Sequence, residues 1–361
     1  MAQKIGIDFG TTNSLISVVL SDKPKYFADS KGLPHPSVVA YSGENIITGR
    51  KAKIQLDAIG KGVSGNIIKS PKTLLGGIPV YVQGREYMPT DIVRDFMEGL
   101  KEEAFSDPDQ DIVDSCDFEY AVVSIPVAMD GRSRRELRDA MLQAGIHVHQ
   151  FVHEPLAALY AHFRSSGNMA PLLEKYHNKL ALVFDWGGGT LDLTLCLVRG
   201  GSLTQIVNVG DNQVGGDYID DAIANFVREQ HLMLYELDKL PPEMPGARAR
   251  LLNACEAAKI QLSKRSSSLI YVEDYFDTED EKGRDIEIDI TQDELTEISK
   301  VLVQRGLNNI EQLLDRMKID QRRIALCLAT GGMINSNYSA PLMIDWNFSD
   351  IDWNFSDSVP L

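Results

Sequence analysis

Residues 5–20, IGIDFGTTNSLISVVL, and residues 181–198, ALVFDWGGGTLDLTLCLV, run through the same features in the same order. Each has an apolar strand, an aspartate, a turn of glycines and threonines, and a second apolar strand. Asp8 aligns with Asp185 and Gly10 with Gly187. This repetition constrains the fold more than any other feature, because it makes the chain two related halves, each opening on a β-hairpin. Apolar residues at period two follow each turn, so neither turn is the strand-to-helix loop of a P-loop protein, and neither matches G-x-x-x-x-G-K-[ST]. A length of 361 residues is enough for two substantial cores.

Glycine and threonine in a tight turn suit phosphate for a physical reason. Without Cβ atoms the backbone N–H groups can approach phosphate oxygens, and threonine hydroxyls add donors. An aspartate at the strand end offers magnesium a hard oxygen, usually through water. Either turn alone reads as an ordinary hairpin. Two copies with the aspartate in register point to a pair of loops gripping a polyphosphate and its metal.

Composition narrows the function. The formal net charge of −16 repels a nucleic-acid backbone, so no nucleic-acid partner is expected. Cys116, Cys196, Cys255 and Cys327 are scattered without a C-x-x-C pair, as in a reducing cytoplasm. No apolar run approaches membrane-spanning length and no export signal is evident, so a cytoplasmic chain with no membrane partner is expected.

Other segments read as helices and a hairpin. Leu137, Ala140, Met141 and Ala144 fall at i, i+3, i+4 and i+7, with Gly145 placed to end the helix. Pro155 suits the first turn of a further helix, leaving Glu154 at its mouth as a cap or a functional carboxylate. Gly215 and Gly216 precede a helix with Ile219, Ile223, Phe226 and Val227 on one stripe, and N–H groups at that start could face phosphate. Glu256, Lys259 and Ser263 share one helix face, whereas Leu252, Cys255, Ala258 and Leu262 take another. Spacing alone favours a solvated charged face for the first trio. The acidic stretch 273–290 carries alternating Ile286, Ile288 and Ile290 after Gly283, which predicts a hairpin without chemistry.

Six stretches in order resemble the actin-like ATPase superfamily, and within it the nucleotide-binding domain of heat-shock protein 70 chaperones. They are IGIDFGTTNS, residues 121–162, LVFDWGGGTLDLTL, VGDNQVGGDYIDDAI, ACEAAKIQLS and LATGG, and the similarity runs from about residue 4 to about residue 333. The resemblance implies an α/β actin-like ATPase fold of ribonuclease H-like repeats, with two lobes around a nucleotide cleft. The expected first lobe is residues 1–168 with an insertion at about 37–112; the second is 169–361 with an insertion at about 217–293.

The implied activity is slow, magnesium-dependent ATP hydrolysis by phosphoryl transfer to water, driving lobe closure. Asp8 and Asp185 would hold hydrated magnesium, Lys72 would reach the terminal phosphate, and Glu154 would organise metal and attacking water. Lys69 competes for the lysine role, with Lys72 favoured by the match of KTLLG. Gly10, Thr11, Thr12, Asn13, Gly187, Gly188, Gly189 and Thr190 would contact phosphate, with Gly215 and Gly216 nearby. Glu256, Lys259, Ser263, Gly331 and Gly332 would face ribose and adenine, with ATP and ADP as ligands. Pro126 and Arg134 match positions that relay nucleotide state between lobes. Ile260 and Asn335 depart from the family, which carries stacking arginines there. J-domain and nucleotide-exchange co-chaperones are implied as partners. The alternatives in other classes are a small-molecule kinase of the same superfold, and a non-catalytic nucleotide-sensing or filament-forming module.

The C-terminus departs from the family after Gly332. The heptad IDWNFSD occurs at 344–350 and again at 351–357, with Ile, Trp and Phe alternating as in a strand. No peptide-binding domain is expected. A frayed tail is the plain reading, and pairing with a sheet edge, in cis or to give a dimer, is the sharper one.

Overall fold

The computed structural model describes residues 2–57, 66–165, 169–211, 213–279 and 283–331, and the backbone of 352–355. Contacts divide the chain into two compact units that meet in sequence at Ala157 and Ala158.

The first unit starts with β1 (Gln3–Phe9), β2 (Asn13–Leu20), β3 (Lys23–Phe27) and the short β4 (His35–Pro36). An insertion follows: β5 (Val38–Ser42), β6 (Asn45–Thr48), α1 (Gly49–Asp57), β7 (Ile67–Lys69), a 3₁₀ turn at Pro71–Leu74, and the hairpin β8 (Val80–Val82) and β9 (Arg85–Tyr87). The unit continues through α2 (Pro89–Phe105), α3 (Gln110–Asp114), β10 (Cys116–Ile125), α4 (Gly131–Gln143) and β11 (His147–His153) to the start of α5 (Glu154–Ser165). The main sheet runs β3-β2-β1-β10-β11, with β1 antiparallel to β2 and parallel to β10. Strand β10 pairs in parallel with β11. Ile5, Ile7 and Phe9 alternate into the core, where the Phe9 ring stacks on Phe96 of α2 at 5.7 Å between centroids.

Local chemistry sets the helix ends. The Asp130 carboxylate accepts from the N–H groups of Arg132 and Ser133 at the start of α4, whose Leu137, Ala140 and Met141 are buried. Gly145 closes the helix at φ +72°, a conformation glycine adopts without a Cβ clash.

The second unit comprises α6 (Met169–Lys175), β12 (Lys179–Trp186), β13 (Leu191–Arg199), β14 (Ser202–Asp211), α7 (Gly216–Leu234), α8 (Ala247–Leu262), β15 (Ser267–Val272), β16 (Ile286–Thr291), α9 (Gln292–Met317), β17 (Ile324–Thr330) and β18 (Asp352–Phe355). Its main sheet runs β14-β13-β12-β17-β18, with an antiparallel meander on one side of β12 and parallel strands on the other. Strand order and directions repeat those of the first sheet, so the two motifs quoted at the outset occupy equivalent places. Strands β15 and β16 form the expected hairpin, with Ile286, Ile288 and Ile290 buried on one face. The sharper expectation for the tail holds in part: Asp352–Phe355, within the second heptad, pairs in cis with β17. The first heptad, Gly332 and Asn335 lie outside the described residues.

Candidate functional site

In the first unit, Asp8 is half-buried near the end of β1, on the face opposite Ile7 and Phe9, and Gly10, Thr11 and Thr12 turn the chain into β2 at Asn13. Ser37 pins this loop, since its hydroxyl donates to the Gly10 carbonyl at 2.8 Å and its N–H to the Thr12 carbonyl at 2.8 Å. The loop is thereby shaped by the polypeptide itself.

A charged cluster sits beside this loop. Lys72, on the 3₁₀ turn, is buried and its Nζ lies 2.7 Å from Glu154 Oε1 at the start of α5. The same ammonium stands 6.0 Å from the Phe9 ring centroid. Lys69, its rival, is exposed on β7. The Ser124 hydroxyl donates to Asp8 Oδ1 at 2.7 Å from the neighbouring strand β10. Burial, and then the negative Glu154, push the Asp8 carboxyl up to about 6, while Lys72 and the Ser124 hydrogen bond pull the other way. Two carboxylates and one ammonium in this space leave an excess of negative charge, the chemistry that accepts a hard cation. Arg134 donates to the carbonyls of Met129 and Val127 at 2.8 and 3.3 Å, holding the turn that begins at Pro126.

In the second unit, Gly187–Thr190 closes the β12–β13 hairpin, with the Gly187 N–H donating to the Thr190 carbonyl at 2.9 Å. The Thr190 hydroxyl donates to Asp192 at 3.3 Å. The start of α7 departs from the sequence expectation. The N–H groups of Gly216 and Asp217 donate to the Gly187 and Gly188 carbonyls at 3.2 and 2.7 Å, so they set the loop's shape rather than facing outward. Gly215 is needed here for proximity, because a Cβ would collide with the Gly188 carbonyl. Gly331 follows β17 at φ +97°, where a Cβ would meet the Trp186 carbonyl and stand 2.8 Å from Asp185 Oδ1.

Helix α8 also departs from its pattern. Lys259 is buried, not solvated: its Nζ donates to the Gly216 carbonyl at 2.8 Å and pairs with Asp220 Oδ1 at 2.7 Å. Burial raises the Asp220 carboxyl to about 6 against the opposing pull of Lys259. Glu256 is half-buried, Ser263 caps the helix by donating to the Ile260 carbonyl at 2.6 Å, and Ile260 stands 59% exposed.

Sequence reading missed Ser37, Ser124 and Asp220. Ser124 lies opposite Asp8 in the parallel register of β10, and Thr330 lies opposite Asp185 in that of β17. A hydroxyl residue near the end of each fourth strand was the available signal. It becomes readable only once the two sheets are superposed in strand order.

Comparison with known proteins gives a consistent result. Residues 4–77 and 60–335 match the family model described as Hsp70 protein. The chain is 30% identical over 331 residues to chaperone protein DnaK of Metamycoplasma hominis, covering 91% of this chain and 52% of that protein. It is 28% identical over 353 residues to DnaK of Deinococcus deserti and 30% identical over 357 residues to DnaK of Deinococcus radiodurans, covering 92% of this chain and 54% of the relative in both cases. The chain spans about half the length of the curated relatives it matches.

Proposed function

The chain belongs to the Hsp70 protein family, with its actin-like ATPase fold, and from that premise we propose that it binds ATP with magnesium and hydrolyses it slowly as the nucleotide-binding part of a chaperone. The observation that carries this reading is the Lys72–Glu154–Asp8 cluster beside the Ser37-pinned loop.

The donor set fits a hydrated magnesium ion. Asp8 offers a hard oxygen whose charge is disfavoured by burial and by Glu154, so a divalent cation relieves both. Asp185 holds the equivalent place in the second repeat. Bound there, the metal would neutralise phosphate charge. Lys72 would stabilise charge developing on the terminal phosphoryl oxygens, an electrostatic contribution strengthened by its burial. Glu154, held by Lys72, would orient a water and accept its proton. Gly10–Asn13 and Gly187–Thr190 would cradle phosphate oxygens, while Lys259, Glu256 and Ser263 would stand toward the sugar and base, with Gly331 and Gly332. J-domain and nucleotide-exchange proteins are the corresponding partners, and a cytoplasmic setting suits them. Among the described residues no helix is long and apolar enough to cross a membrane.

The test is isothermal titration of ATP with magnesium, paired with single-turnover phosphate release from the wild-type chain and from Lys72→Ala. Binding with slow release, and release lost in the variant, supports the proposal. Absence of binding at saturating magnesium removes it.

A further inference from the structure

Both oxygens of the Asp211 carboxylate, at the end of β14, are held by side chains of α9. Arg305 donates from Nε to Oδ2 at 2.8 Å and from Nη2 to Oδ1 at 3.0 Å, a two-pronged grip on one carboxylate. Asn309, one turn further along α9, donates from Nδ2 to Oδ2 at 3.0 Å, and the Gln213 N–H donates to Oδ1 at 2.9 Å. Arg305 Nη2 also donates to Gln213 Oε1 at 3.0 Å, so one guanidinium fastens Asp211 and Gln213 together. Burial opposes the charge of Asp211, yet the bonds from Asn309, Gln213 and Arg305 hold its carboxyl below the usual range.

The clamp stands behind the Gly187–Thr190 turn. Gly306, next to Arg305, lies so close to the hairpin that a Cβ there would stand 3.3 Å from Leu191 Cδ2, 3.8 Å from Val214 Cγ1 and 3.9 Å from Trp186 Cη2. Trp186 and Leu191 flank the turn, and both are fully buried, as is Val214. Helix α9 thus packs on the ends of the turn while its Arg305 and Asn309 hold the segment that leads to Gly215.

Where that segment sits decides which way the amides of the turn point. The N–H groups of Gly216 and Asp217 donate to the Gly187 and Gly188 carbonyls. Both peptides are trans, and in a trans peptide the carbonyl and the following N–H point to opposite sides. Anchoring the two carbonyls toward α7 turns the N–H groups of Gly188 and Gly189 to the far side of the turn, where a phosphate would meet them.

We propose that Arg305 is a positioning residue for the phosphate turn of the second repeat: its grip on Asp211 and Gln213 seats the start of α7, and that seat aims the Gly188 and Gly189 amides. This rests on the reading of Gly187–Thr190 as a phosphate turn. The Arg305 side chain is 45% exposed against 12% for Asp211, and a pair with one partner in water contributes little to global stability. Loss of Arg305 should be felt in nucleotide binding rather than in unfolding.

The test compares the wild-type chain with Arg305→Met and Arg305→Lys. Arg322→Met is the control, because Arg322 grips Asp320 in a similar way at the opposite end of β17 from Thr330. Amide hydrogen exchange without nucleotide reads the seat; titration with ATP and magnesium reads its consequence. In Arg305→Met, exchange at Gly216 and Asp217 should speed up about tenfold and ATP affinity should fall about tenfold, with the unfolding midpoint and exchange within β12 and β13 unchanged. Arg305→Lys, a point charge without the fork, should recover part of both losses, and Arg322→Met should match the wild type. Should Arg305→Met fail to fold, Arg305→Lys makes the same comparison with smaller changes in the same direction. Faster exchange with unchanged affinity, weaker affinity with unchanged exchange, or an equal loss in Arg322→Met overturns the proposal. If the wild-type chain binds ATP and both Arg305 variants match it, this proposal alone fails. If the wild-type chain binds no ATP, the proposed function fails and the phosphate role of Arg305 goes with it.

Discussion

Lys72 Nζ lies 2.7 Å from Glu154 Oε1, and the two side chains, 7% and 14% exposed, belong to elements 82 residues apart in sequence. A buried pair of this kind is costly to break on one side, because the survivor keeps its charge without a partner. Lys72→Met alone is expected to destabilise the first unit by about 3 kcal/mol, and Glu154→Gln added to it should recover most of that loss. Phosphate release should stay abolished in the double variant. Denaturation of all four members of the cycle, alongside single-turnover release, checks both halves; recovery of turnover with stability would contradict the assigned roles.

Magnesium-dependent nucleotide affinity should fall as pH drops through about 6. Asp8 is ionised above the value to which burial and Glu154 push it, and below it the neutral acid offers no charge to the cation. Ser124→Ala removes a hydrogen bond that favours the carboxylate, so the midpoint should move upward. Titration calorimetry across a pH series decides this, and a midpoint near the ordinary 3.8, or one indifferent to Ser124, counts against it. The effect on folding has the opposite sense. A carboxyl raised in the native state stabilises most below its unfolded pKa, and the contribution is lost as pH rises to about 6.

Gly215→Ala should weaken ATP binding at least tenfold and cost about 1–3 kcal/mol of stability, because the new Cβ meets the Gly188 carbonyl rather than a flexible side chain. Gly189→Ala, in the Gly187–Thr190 turn that Gly215 packs against, with open space around its Cβ position, should cost far less stability. Comparing the two by calorimetry and denaturation separates close packing from a general intolerance of substitution where turn and helix start meet.

Thr291→Ala should cost about 1 kcal/mol without altering nucleotide binding. Thr291 caps α9, its hydroxyl accepting from the Glu294 N–H at 3.2 Å while Glu294 Oε2 accepts from the Thr291 N–H at 2.8 Å. Denaturation should register the loss and calorimetry with ATP should not.

Much of this protein was legible in one dimension. The twin motifs around Asp8 and Asp185 predict paired hairpins, since period-two apolar runs and glycine turns are local properties that need no partner to be read. The stripe of Leu137, Ala140 and Met141 and the isoleucines of β16 are legible for the same reason.

What tertiary structure decided is everything that depends on which strands become neighbours. Lys259 shares a helix face with Glu256 and Ser263 by spacing, yet it is buried because Asp220 and the Gly216 carbonyl arrive from α7. Parallel pairing brings Ser124 to Asp8 across 116 residues, and no periodicity marks such a contact. The N–H groups at the start of α7 became struts for the Gly187–Gly188 turn because helix and loop meet there. Alternation in the second copy of IDWNFSD announces a strand, but the edge of β17 supplies the hydrogen-bonding partners that make Asp352–Phe355 one.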